Sequence, residues 1–301
     1  TGMSTEVLGG NVKLASGHSI PLVGLGTSAI KDADQMSAAV EAALRAGYRL
    51  IDTAHGYGNE KVIGDALKKH LPSLGISRDD VFICTKVPIK NDDTDTVTRA
   101  MLDQSLRDLD VGYIDLVLVH YPRHLIGGGT DLDPINKEKR RTVYCILEEY
   151  VAKGLIRSIG VSNYEIFHLL EMEGYAKVAP CVNQCEYHPH HTQNQLTEYC
   201  RQKGIFFQAF ASLCSGDSTI LAEKTVVDLA AKHAITPQTL LLAFGLATGV
   251  GVLPKSTNPR RIEQNLRDTV AVRLTEDDVA ELLKLDRRKN YVGRCTPWRT
   301  I

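Results

Sequence analysis

Three apolar segments of this sequence each end on an ionisable residue. The segments YRLID, VFICTK and YIDLVLVH end on Asp52, Lys86 and His120, and Tyr57 follows the first of them in a glycine-flanked loop. A tyrosine titrates near pH ~10, too high for easy proton donation at neutral pH, and a neighbouring ammonium lowers that pKa. We therefore predict that Tyr57 is a proton donor and that Lys86 tunes its pKa. Asp52 would keep Lys86 charged, and His120 would orient a substrate oxygen.

This set of side chains suits the reduction of a carbonyl group. A proton delivered to a carbonyl oxygen must be matched by a hydride delivered to its carbon, and no amino-acid side chain supplies a hydride. The sequence therefore predicts a nicotinamide cofactor. Each of the four residues, taken alone, is explained equally well as a solvated loop residue or as a buried polar residue with its hydrogen bonds satisfied. The prediction depends on three consecutive segments ending in the same way.

The placement of these residues depends on how the chain alternates between strands and helices. Segments of helical period, such as those that contain Val40, Ile63 and Leu147, separate β-type segments that are apolar throughout. The β-type segments are LVGLG, YRLID, VFICTK, YIDLVLVH, RSIGVSN, PCVNQ, IFFQAF and VGVLPK. Apolar runs without alternation are typical of parallel strands covered on both faces. Eight of them, each followed by a helix, predict a (β/α)8 TIM barrel in which the strand ends share one rim.

Several boundaries of the predicted barrel follow from turn and cap residues. The segment NVKLASGHSIPLVGLG predicts a short N-terminal β-hairpin that turns at Ser16–Gly17. Helix starts are predicted at Asp34 and at Thr236, which has Pro237 in the first helical position. A third is predicted at Thr275, which has an acidic residue three positions later.

No Pro- or Ser-rich linker divides the sequence, so residues 1–301 are predicted to form a single domain. Thr1 and Gly2, ahead of Met3, are expected to be non-native. Residues 235–254 form the longest uncharged run and have the length of a membrane span. The proline and glycines inside that run favour a buried helix followed by a short buried strand. A doubly wound open sheet is the alternative to the barrel, because element order alone does not show closure.

A glycine-rich segment near the first strand resembles a different kind of site. GLGTSA, residues 24–29, fits a dinucleotide-binding fingerprint, with Asp52 downstream as the ribose-binding acid. In that motif the helix begins inside the glycine loop, whereas here the helical pattern begins several residues later. The motif also gives Tyr57 no role. The barrel is therefore favoured over a dinucleotide-binding open sheet.

The segment after the last β-type run suits an anionic ligand. LPKSTNPRRIEQN, residues 253–265, leads from that run into a helix. In barrels, the loops after the last two strands commonly bind phosphate beside a helix N-terminus. Lys255 and Arg261 flank Ser256 and Thr257, so the segment offers donors that suit the 2′-phosphate of NADP better than NAD. An exposed basic helix start is the alternative for this segment.

The sequence resembles the aldo-keto reductases, and especially the aldose-reductase-like branch of that family. The resemblance rests on GYRLIDTAHGYGNE, VFICTK, LVLVHYP, SIGVSN, NQCEYHP and LPKS, which occur in the family's order over nearly the whole chain. It implies a barrel with a C-terminal tail over its mouth and NADPH extended across the rim. It also implies reversible reduction of aldehydes or ketones to alcohols, with Asp52, Tyr57, Lys86 and His120 as the catalytic tetrad.

The resemblance further implies contacts to the cofactor. Ser162, Asn163 and Gln184 would hold the nicotinamide carboxamide, and Phe210 would stack on the nicotinamide ring. The other implied contacts are Gly26, Thr27, Ser28 and Asp52 near the first strands, Leu213 and Ser215 at the pyrophosphate, and Lys255, Ser256, Thr257, Arg261, Gln264 and Asn265 at the adenosine 2′-phosphate end.

Four positions depart from the family's pattern. Phe210 replaces a tyrosine, Tyr121 a tryptophan, Ser28 an aromatic residue and Gln264 a glutamate. The changes leave the predicted chemistry intact but alter the walls of the substrate pocket, so the resemblance does not fix the substrate. The residues predicted to contact substrate are Tyr57, His120, Tyr121 and Trp298.

Two segments could cover the mouth of the barrel. The tail NYVGRCTPWRTI carries the only tryptophan, Trp298, which would either pack on the barrel or act as a lid over the substrate. The glycine-rich loop HLIGGGTDLDP, after Tyr121, could flex over the same mouth. The sequence leaves both alternatives open.

One short segment gathers five residues of types that bind metals. They are Cys181, Cys185, His188, His190 and His191. Strand residues four apart lie about 13 Å from each other, too far to share one tetrahedral ion, and the spacings match no zinc pattern. No metal site is predicted. Cys84, inside the segment VFICTK, is predicted to be a small core residue.

The composition excludes several other function classes. The chain of 301 residues is 43% hydrophobic with a net charge of -1, which indicates a globular protein without a basic field for nucleic acid or anionic lipid. The N-terminal residues lack signal-peptide features, and an odd number of cysteines without a CxxC pair favours reduced thiols. We expect a cytoplasmic monomer that binds a small-molecule carbonyl substrate, and no nucleic acid or membrane.

Two function classes stay open. The chain could be an enzyme that reduces carbonyl compounds with NADPH. It could also be a redox-sensing partner subunit that binds NADPH with little turnover. The complete set of four site residues, without an obvious docking extension, favours the enzyme.

Overall fold

A closed parallel barrel organises the part of the chain that the structure describes. The structure is a computed structural model, and it describes residues 7–124 and 132–292. Eight strands pair in the order in which they follow one another along the chain, and every pairing in this sheet is parallel. They are β3 (Leu25–Gly26), β4 (Leu50–Asp52), β5 (Phe82–Val87), β6 (Ile114–Val119), β7 (Ile156–Ser162), β8 (Val182–Glu186), β9 (Phe206–Phe210) and β10 (Gly251–Val252).

Helices connect these strands and cover the outside of the sheet. The α-helices are α1 (Ala33–Ala46), α2 (Glu60–Leu74), α3 (Thr94–Leu109), α4 (Pro134–Ala152), α5 (Ile166–Met172), α6 (Asn194–Gln202), α7 (Ser218–Leu221), α8 (Lys224–Lys232), α9 (Pro237–Ala247), α10 (Pro259–Ala271) and α11 (Glu276–Leu283). Short 3-10 helices lie at His55–Tyr57, Arg78–Asp80 and Cys214–Gly216. Because helices cover the outer face and side chains fill the interior, every residue of β4, β5, β6 and β8 is buried.

The first and last strands of the sheet pair with each other and close the barrel. Parallel bridges join Val23 to Val252 and Gly26 to Lys255, and the backbone N–H of Gly26 donates to Pro254 O at 3.0 Å. A Cβ on Gly26 would lie 2.8 Å from Leu253 O, so only glycine allows this close approach. The barrel prediction is confirmed. The open-sheet alternative is wrong, and so is the interpretation of GLGTSA as the glycine fingerprint of a doubly wound dinucleotide-binding fold.

The predicted N-terminal hairpin covers the end of the barrel at which the strands begin. Strands β1 (Asn11–Lys13) and β2 (Ser19–Pro21) pair antiparallel around the predicted turn. Leu14 and Ile20 pack in one apolar cluster with Leu50 and Phe82, the first residues of β4 and β5. The hairpin therefore seals one end and leaves the other, the rim, for a site.

Two of the three predicted helix starts are confirmed, and one is wrong by two residues. Thr236 caps α9 with Pro237 in its first turn, and Thr275 forms a capping box at the start of α11. For α1 the cap is Asp32, and its side chain accepts a hydrogen bond from Gln35 N at 2.9 Å. Asp34 instead lies in the first turn, where a carboxylate favours the helix through the dipole rather than by capping it.

The uncharged run at residues 235–254 folds as predicted, into buried helix α9 followed by strand β10. Among the described helices, none combines the length and the apolarity needed to cross a membrane. Cys84 is a buried core residue, as predicted. Within the described ranges the cysteines form no disulfide.

Candidate active site

The strand ends bring the three ionisable residues to one rim. Asp52 ends β4, Lys86 is the penultimate residue of β5, and His120 directly follows β6. In the register of β4 and β5, Asp52 lies opposite Cys84. Lys86 is two residues beyond Cys84, so it faces the same side of the strand. The side chains of Asp52 and Lys86 therefore meet inside the barrel, near its rim.

Asp52 and Lys86 form a buried ion pair. Lys86 Nζ donates to Asp52 Oδ1 at 2.6 Å, and the side chains of Lys86 and Asp52 are 1% and 6% exposed. Lys86 Nζ also donates to Thr53 O at 2.8 Å. An ammonium has three donors, so two of them are used to hold it in place and one is left for a further partner. Burial lowers the pKa of Lys86, but the charges of Asp52, Tyr57 and Cys84 and the hydrogen bond to Asp52 together outweigh burial, so the pKa of Lys86 is raised. Lys86 is therefore a fixed positive charge.

Tyr57 lies against this ammonium. It ends the 3-10 turn His55–Tyr57, and Gly58 follows with φ +65°, a left-handed conformation that reverses the chain before α2. Lys86 Nζ is 5.2 Å from the centroid of the Tyr57 ring.

The pKa of Tyr57 differs from the expectation that it would be lowered. Burial raises the pKa, the ammonium of Lys86 lowers it by charge and by a hydrogen bond, and Asp52 raises it. The net pKa of Tyr57 is raised, because the loss of water around the phenol outweighs the ammonium. Lys86 lowers the pKa of the phenol, as predicted, but burial and the other neighbouring groups raise that pKa by more.

His120 and Tyr121 complete the wall next to Tyr57. The rings of Tyr57 and His120 meet edge to face with centroids 5.8 Å apart, and the ring of Tyr121 stacks on His120 at 4.5 Å. Asn163 Nδ2 donates to the backbone oxygen of His120 at 3.0 Å. Phe210 packs against Tyr121 from another side. The imidazole and the phenol are thus close enough to act on the same small group.

A row of hydrogen-bonded polar side chains, which the sequence did not predict, continues from Asp52 across the barrel. Gln184 Nε2 donates to Asp52 Oδ2 at 2.9 Å and to Gln208 Oε1 at 2.8 Å, and all three residues are buried. Gln208 lies opposite Gln184 in the register of β8 and β9. The one signal in the sequence is a glutamine inside the apolar segment IFFQAF. These hydrogen bonds fix the second oxygen of Asp52, and they therefore orient its first oxygen towards Lys86.

The three residues expected to hold a carboxamide lie side by side. Ser162 pairs with Gln184 across β7 and β8, and its hydroxyl donates to Gln184 O at 2.7 Å. Asn163 follows with φ +62° and donates to Ser162 Oγ at 3.1 Å. Both amide protons of Gln184 are already used by Asp52 and Gln208. Towards a bound carboxamide, the side chain of Gln184 can therefore only accept through its oxygen.

The expected 2′-phosphate residues lie around the start of α10. Lys255 and Arg261 are exposed, and neither pairs with an acidic side chain in the described ranges. Asn258 caps α10 by accepting from Arg261 N at 3.1 Å, and its own N–H donates to Ser256 Oγ at 3.0 Å. Two unneutralised cations beside a helix N-terminus fit a doubly charged phosphate. Thr257 and Asn265 are half-buried and Gln264 is exposed on the same segment.

The loop after β9 has an unusual backbone. Ala211, Cys214 and Ser215 have φ values of 53°, 49° and 57°, which are uncommon for residues other than glycine. Leu213 is half-buried and Ser215 is exposed within this turn. Such strain is typical of sites that must present backbone or side chain to a ligand, which suits the expected pyrophosphate contact.

The glycine-rich segment after β3 supports the barrel as well as facing the rim. Thr27 Oγ1 donates to Asp52 O at 2.8 Å, so it holds the end of β4. Asn59 Nδ2 in turn donates to Thr27 O at 2.9 Å. Gly26 is required for closure, as described above, and Ser28 is exposed. Of these expected cofactor contacts, only Ser28 has no role in packing.

The residues of types that bind metals do not converge on one point. His188 Nε2 contacts Glu186 Oε1 at 2.8 Å, and His190 Nδ1 contacts the hydroxyl of Tyr291 at 2.8 Å. The rings of His188 and His191 have centroids 6.1 Å apart. Within residues 7–124 and 132–292, no group of three or more His, Cys, Asp or Glu side chains could hold a metal ion. Trp298, and most of the loop after His124, lie outside the described residues.

Comparison with known proteins decides the family. The model of the Aldo/keto reductase family matches residues 22–287. The chain is 38% identical over 296 residues to D-galacturonate reductase of Hypocrea jecorina, covering 93% of this chain and 94% of that protein. It is 33% identical over 306 residues to NAD(P)H-dependent D-xylose reductase of Candida tenuis, with 92% of each covered. The structure of aldose reductase from Schistosoma japonicum superposes with a TM-score of 0.84 at 30% identity, covering 96% and 98% of the two chains.

The chain belongs to the aldo/keto reductase family. The aldose-reductase-like resemblance is confirmed by these relatives. Membership makes the chain an oxidoreductase of a family that reduces carbonyl groups of small molecules with a nicotinamide cofactor.

The ion pair makes a prediction about stability. Lys86→Met leaves the carboxylate of Asp52 buried without its cationic partner, so the free energy of unfolding should fall by about 3–5 kcal/mol. The double variant Asp52→Asn/Lys86→Met buries no charge and should recover most of that loss. Urea unfolding followed by circular dichroism measures both. Losses that simply add in the double variant would show that the two side chains are not coupled.

Proposed function

We propose that this protein reduces an aldehyde or ketone to an alcohol with NADPH, and that Tyr57 is the proton donor. The observation that carries the proposal is the contact of Tyr57 with the buried Lys86–Asp52 pair beside His120. The family assignment supports carbonyl reduction, and the geometry supports the roles of the individual residues.

Tyr57 is suited to keep its proton until a substrate needs it. Its pKa is raised by burial, so the phenol is protonated throughout the neutral range. When negative charge develops on the carbonyl oxygen, the phenol transfers its proton to that oxygen and becomes a phenolate. The ammonium of Lys86 stabilises this phenolate, and its effect is strong because the site contains little water. Asp52 keeps the ammonium in place and charged.

His120 acts on the orientation of the carbonyl group. Its ring lies at the edge of the Tyr57 ring, so a carbonyl oxygen between them can accept hydrogen bonds from both side chains. Stacking on Tyr121 limits rotation of the imidazole. The substrate oxygen is thereby placed within reach of the phenol, which reduces the entropy cost of proton transfer.

The residues around the rim fit a nicotinamide dinucleotide. A bound reduced nicotinamide supplies the hydride that the carbonyl carbon requires. Ser162, Asn163 and Gln184 would hold its carboxamide, with Gln184 as acceptor, and Phe210 would pack on the ring. Thr27 and Ser28 border the same rim, and Leu213 and Ser215 offer a strained turn for the pyrophosphate.

NADPH is preferred over NADH in this proposal because of the cations near α10. Lys255 and Arg261 have no carboxylate partner in the described ranges, so a 2′-phosphate would neutralise charge that NADH leaves unpaired. The exposed Gln264, with half-buried Thr257 and Asn265, offers further hydrogen bonds to the adenosine. One relative is named as NAD(P)H-dependent, so the preference has to be measured.

The substrate is expected to be a small, polar carbonyl compound. The relatives include reductases named for D-galacturonate, glyoxal and D-xylose. Phe210 packs on Tyr121, and exposed Ser28 stands where the family pattern has an aromatic residue, which leaves less aromatic surface than that pattern predicts. These relatives are all named as reductases, which gives the alternative of a redox-sensing subunit no support.

Replacing Tyr57 tests the proton donor. Tyr57→Phe removes the acidic hydroxyl and keeps the ring, so kcat with NADPH should fall by about 10³-fold or more, within the range for general acid catalysis. The dissociation constant for NADPH, measured by fluorescence titration, should stay within about threefold. Tyr113→Phe, which removes a hydroxyl that contacts Asp79 away from the rim, is the matched control and should retain full activity. Equal turnover by Tyr57→Phe and the unmodified protein would refute the assignment.

Replacing Lys255 tests the 2′-phosphate. Lys255→Met removes one cation, so NADPH should bind about 10–100-fold more weakly, whereas NADH, which lacks the phosphate, should change little. Isothermal titration with both cofactors measures this difference. Lys13→Met, at the hairpin end of the barrel, should change neither affinity. Equal losses for the two cofactors would remove the proposed role of Lys255.

A further inference from the structure

Glu186 is a buried carboxylate for which the proposed reaction has no use. It is the last residue of β8, it is 2% exposed, and it lies opposite Phe210 in the register of β8 and β9. It is therefore on the same rim as the candidate active site. A charge in such a position is costly unless its oxygens are fully hydrogen-bonded.

The carboxylate is satisfied mainly by a segment more than one hundred residues away in sequence. Glu186 Oε1 accepts from Tyr291 N at 2.6 Å, and Oε2 accepts from Val292 N at 3.1 Å and from Asn290 Nδ2 at 3.2 Å. On its own loop, His188 Nε2 contacts Oε1 at 2.8 Å. Burial raises the pKa of Glu186, but these hydrogen bonds outweigh it and the pKa is lowered. Glu186 is thus an ionised acceptor for two consecutive backbone N–H groups.

The tail segment, residues 287–292, is held to the loop after β8 at further points. The backbone N–H groups of Arg287 and Lys289 both donate to His190 O, at 3.3 and 3.0 Å. The hydroxyl of Tyr291 contacts His190 Nδ1 at 2.8 Å. These contacts fix the first part of the tail segment. Glu186 alone holds the two backbone N–H groups at its end.

The end of the tail segment reaches the wall of the candidate substrate site. Val292 packs against Tyr121, the ring that stacks on His120 and that Phe210 also contacts. Displacing Val292 therefore removes an apolar contact from this wall. Within the described residues, no hydrogen bond or ion pair joins Tyr57 or Lys86 to the tail segment.

We infer that Glu186 is a positioning residue for substrate specificity, which it sets by fixing the end of the tail segment against Tyr121. The inference rests on the proposed function for its catalytic consequence, but the anchoring itself does not depend on turnover. Glu186 takes no part in proton transfer. A bulky substrate that extends to Tyr121 depends on this wall, and a two-carbon aldehyde does not.

Glu186→Gln tests the inference without changing the volume of the side chain. One carboxylate oxygen becomes an NH₂ group, which cannot accept from a backbone N–H and is itself a donor facing donors. Tyr291 N and Val292 N bond to different oxygens of Glu186, so at least one of these two amides loses its acceptor and should exchange with deuterium at least about tenfold faster. Asp115→Asn is the matched control: Asp115 is also buried, but it accepts from Arg78 and Ile83 N at the start of β6.

The kinetic readout compares two substrates with NADPH as cofactor. In Glu186→Gln, kcat/KM for an aromatic aldehyde should fall about tenfold, mainly through KM, while kcat/KM for a two-carbon aldehyde stays within about twofold. Val292→Ala should produce the same selective loss, and the double variant should lose little more because both act through one contact. In Asp115→Asn, the ratio between the two substrates should equal that of the unmodified protein.

The possible outcomes distinguish a failure of the role given to Glu186 from a failure of the proposed function. Unchanged exchange of the Tyr291 and Val292 amides in Glu186→Gln would overturn the anchoring, whatever the activity. Faster exchange together with an equal loss for both substrates would overturn the role in specificity. If the unmodified protein oxidised no NADPH with any aldehyde, the proposed function would fail, and the exchange experiment would still decide whether Glu186 holds the tail segment.

Discussion

The buried ion pair between Lys86 and Asp52 is the interaction on which the rest of this site depends. Two charges withdrawn from water are stable only if they meet in good geometry. Here two further hydrogen bonds, from Lys86 to Thr53 O and from Gln184 to Asp52, fix both partners. That geometry requires β4 and β5 to run parallel and in register, with the barrel closed around them. Closure in turn requires Gly26, whose missing side chain lets β3 approach the loop after β10.

The exclusion of water from around the ion pair also gives the site its chemical properties. Burial raises the pKa of Tyr57 and the nearby ammonium opposes this, so the phenol keeps its proton while its conjugate base is stabilised in advance. A carboxylate that touched the phenol directly would disfavour the phenolate. Asp52 instead acts through Lys86, and Gln184 holds its other oxygen. The barrel thus places a positive charge next to the proton donor and keeps the balancing negative charge behind it.

Much of the barrel and part of the site could be predicted from the sequence because they depend on local patterns. The apolar runs that end on Asp52, Lys86 and His120 predicted three of the strands and the rim at which they end. The role of Gln208 could not be predicted, because a lone glutamine in an apolar strand acquires its partner, Gln184, only when β8 and β9 pair. Glu186 was missed for a related reason: its main partners are backbone N–H groups of a distant segment, and backbone groups leave no signal in a sequence.

The central claim, that the Lys86–Asp52 pair stabilises the phenolate of Tyr57, is tested most directly by titrating Tyr57 itself. The measurement is the pH dependence of the Tyr57 ring resonance in protein with isotope-labelled tyrosine, assigned by its absence in Tyr57→Phe. Lys86 lowers the pKa of Tyr57 and Asp52 raises it less, so removing both charges in Asp52→Asn/Lys86→Met should raise this pKa. At the highest pH at which both proteins stay folded, the account predicts more phenolate in the unmodified protein. An equal or larger phenolate fraction in the double variant would contradict it.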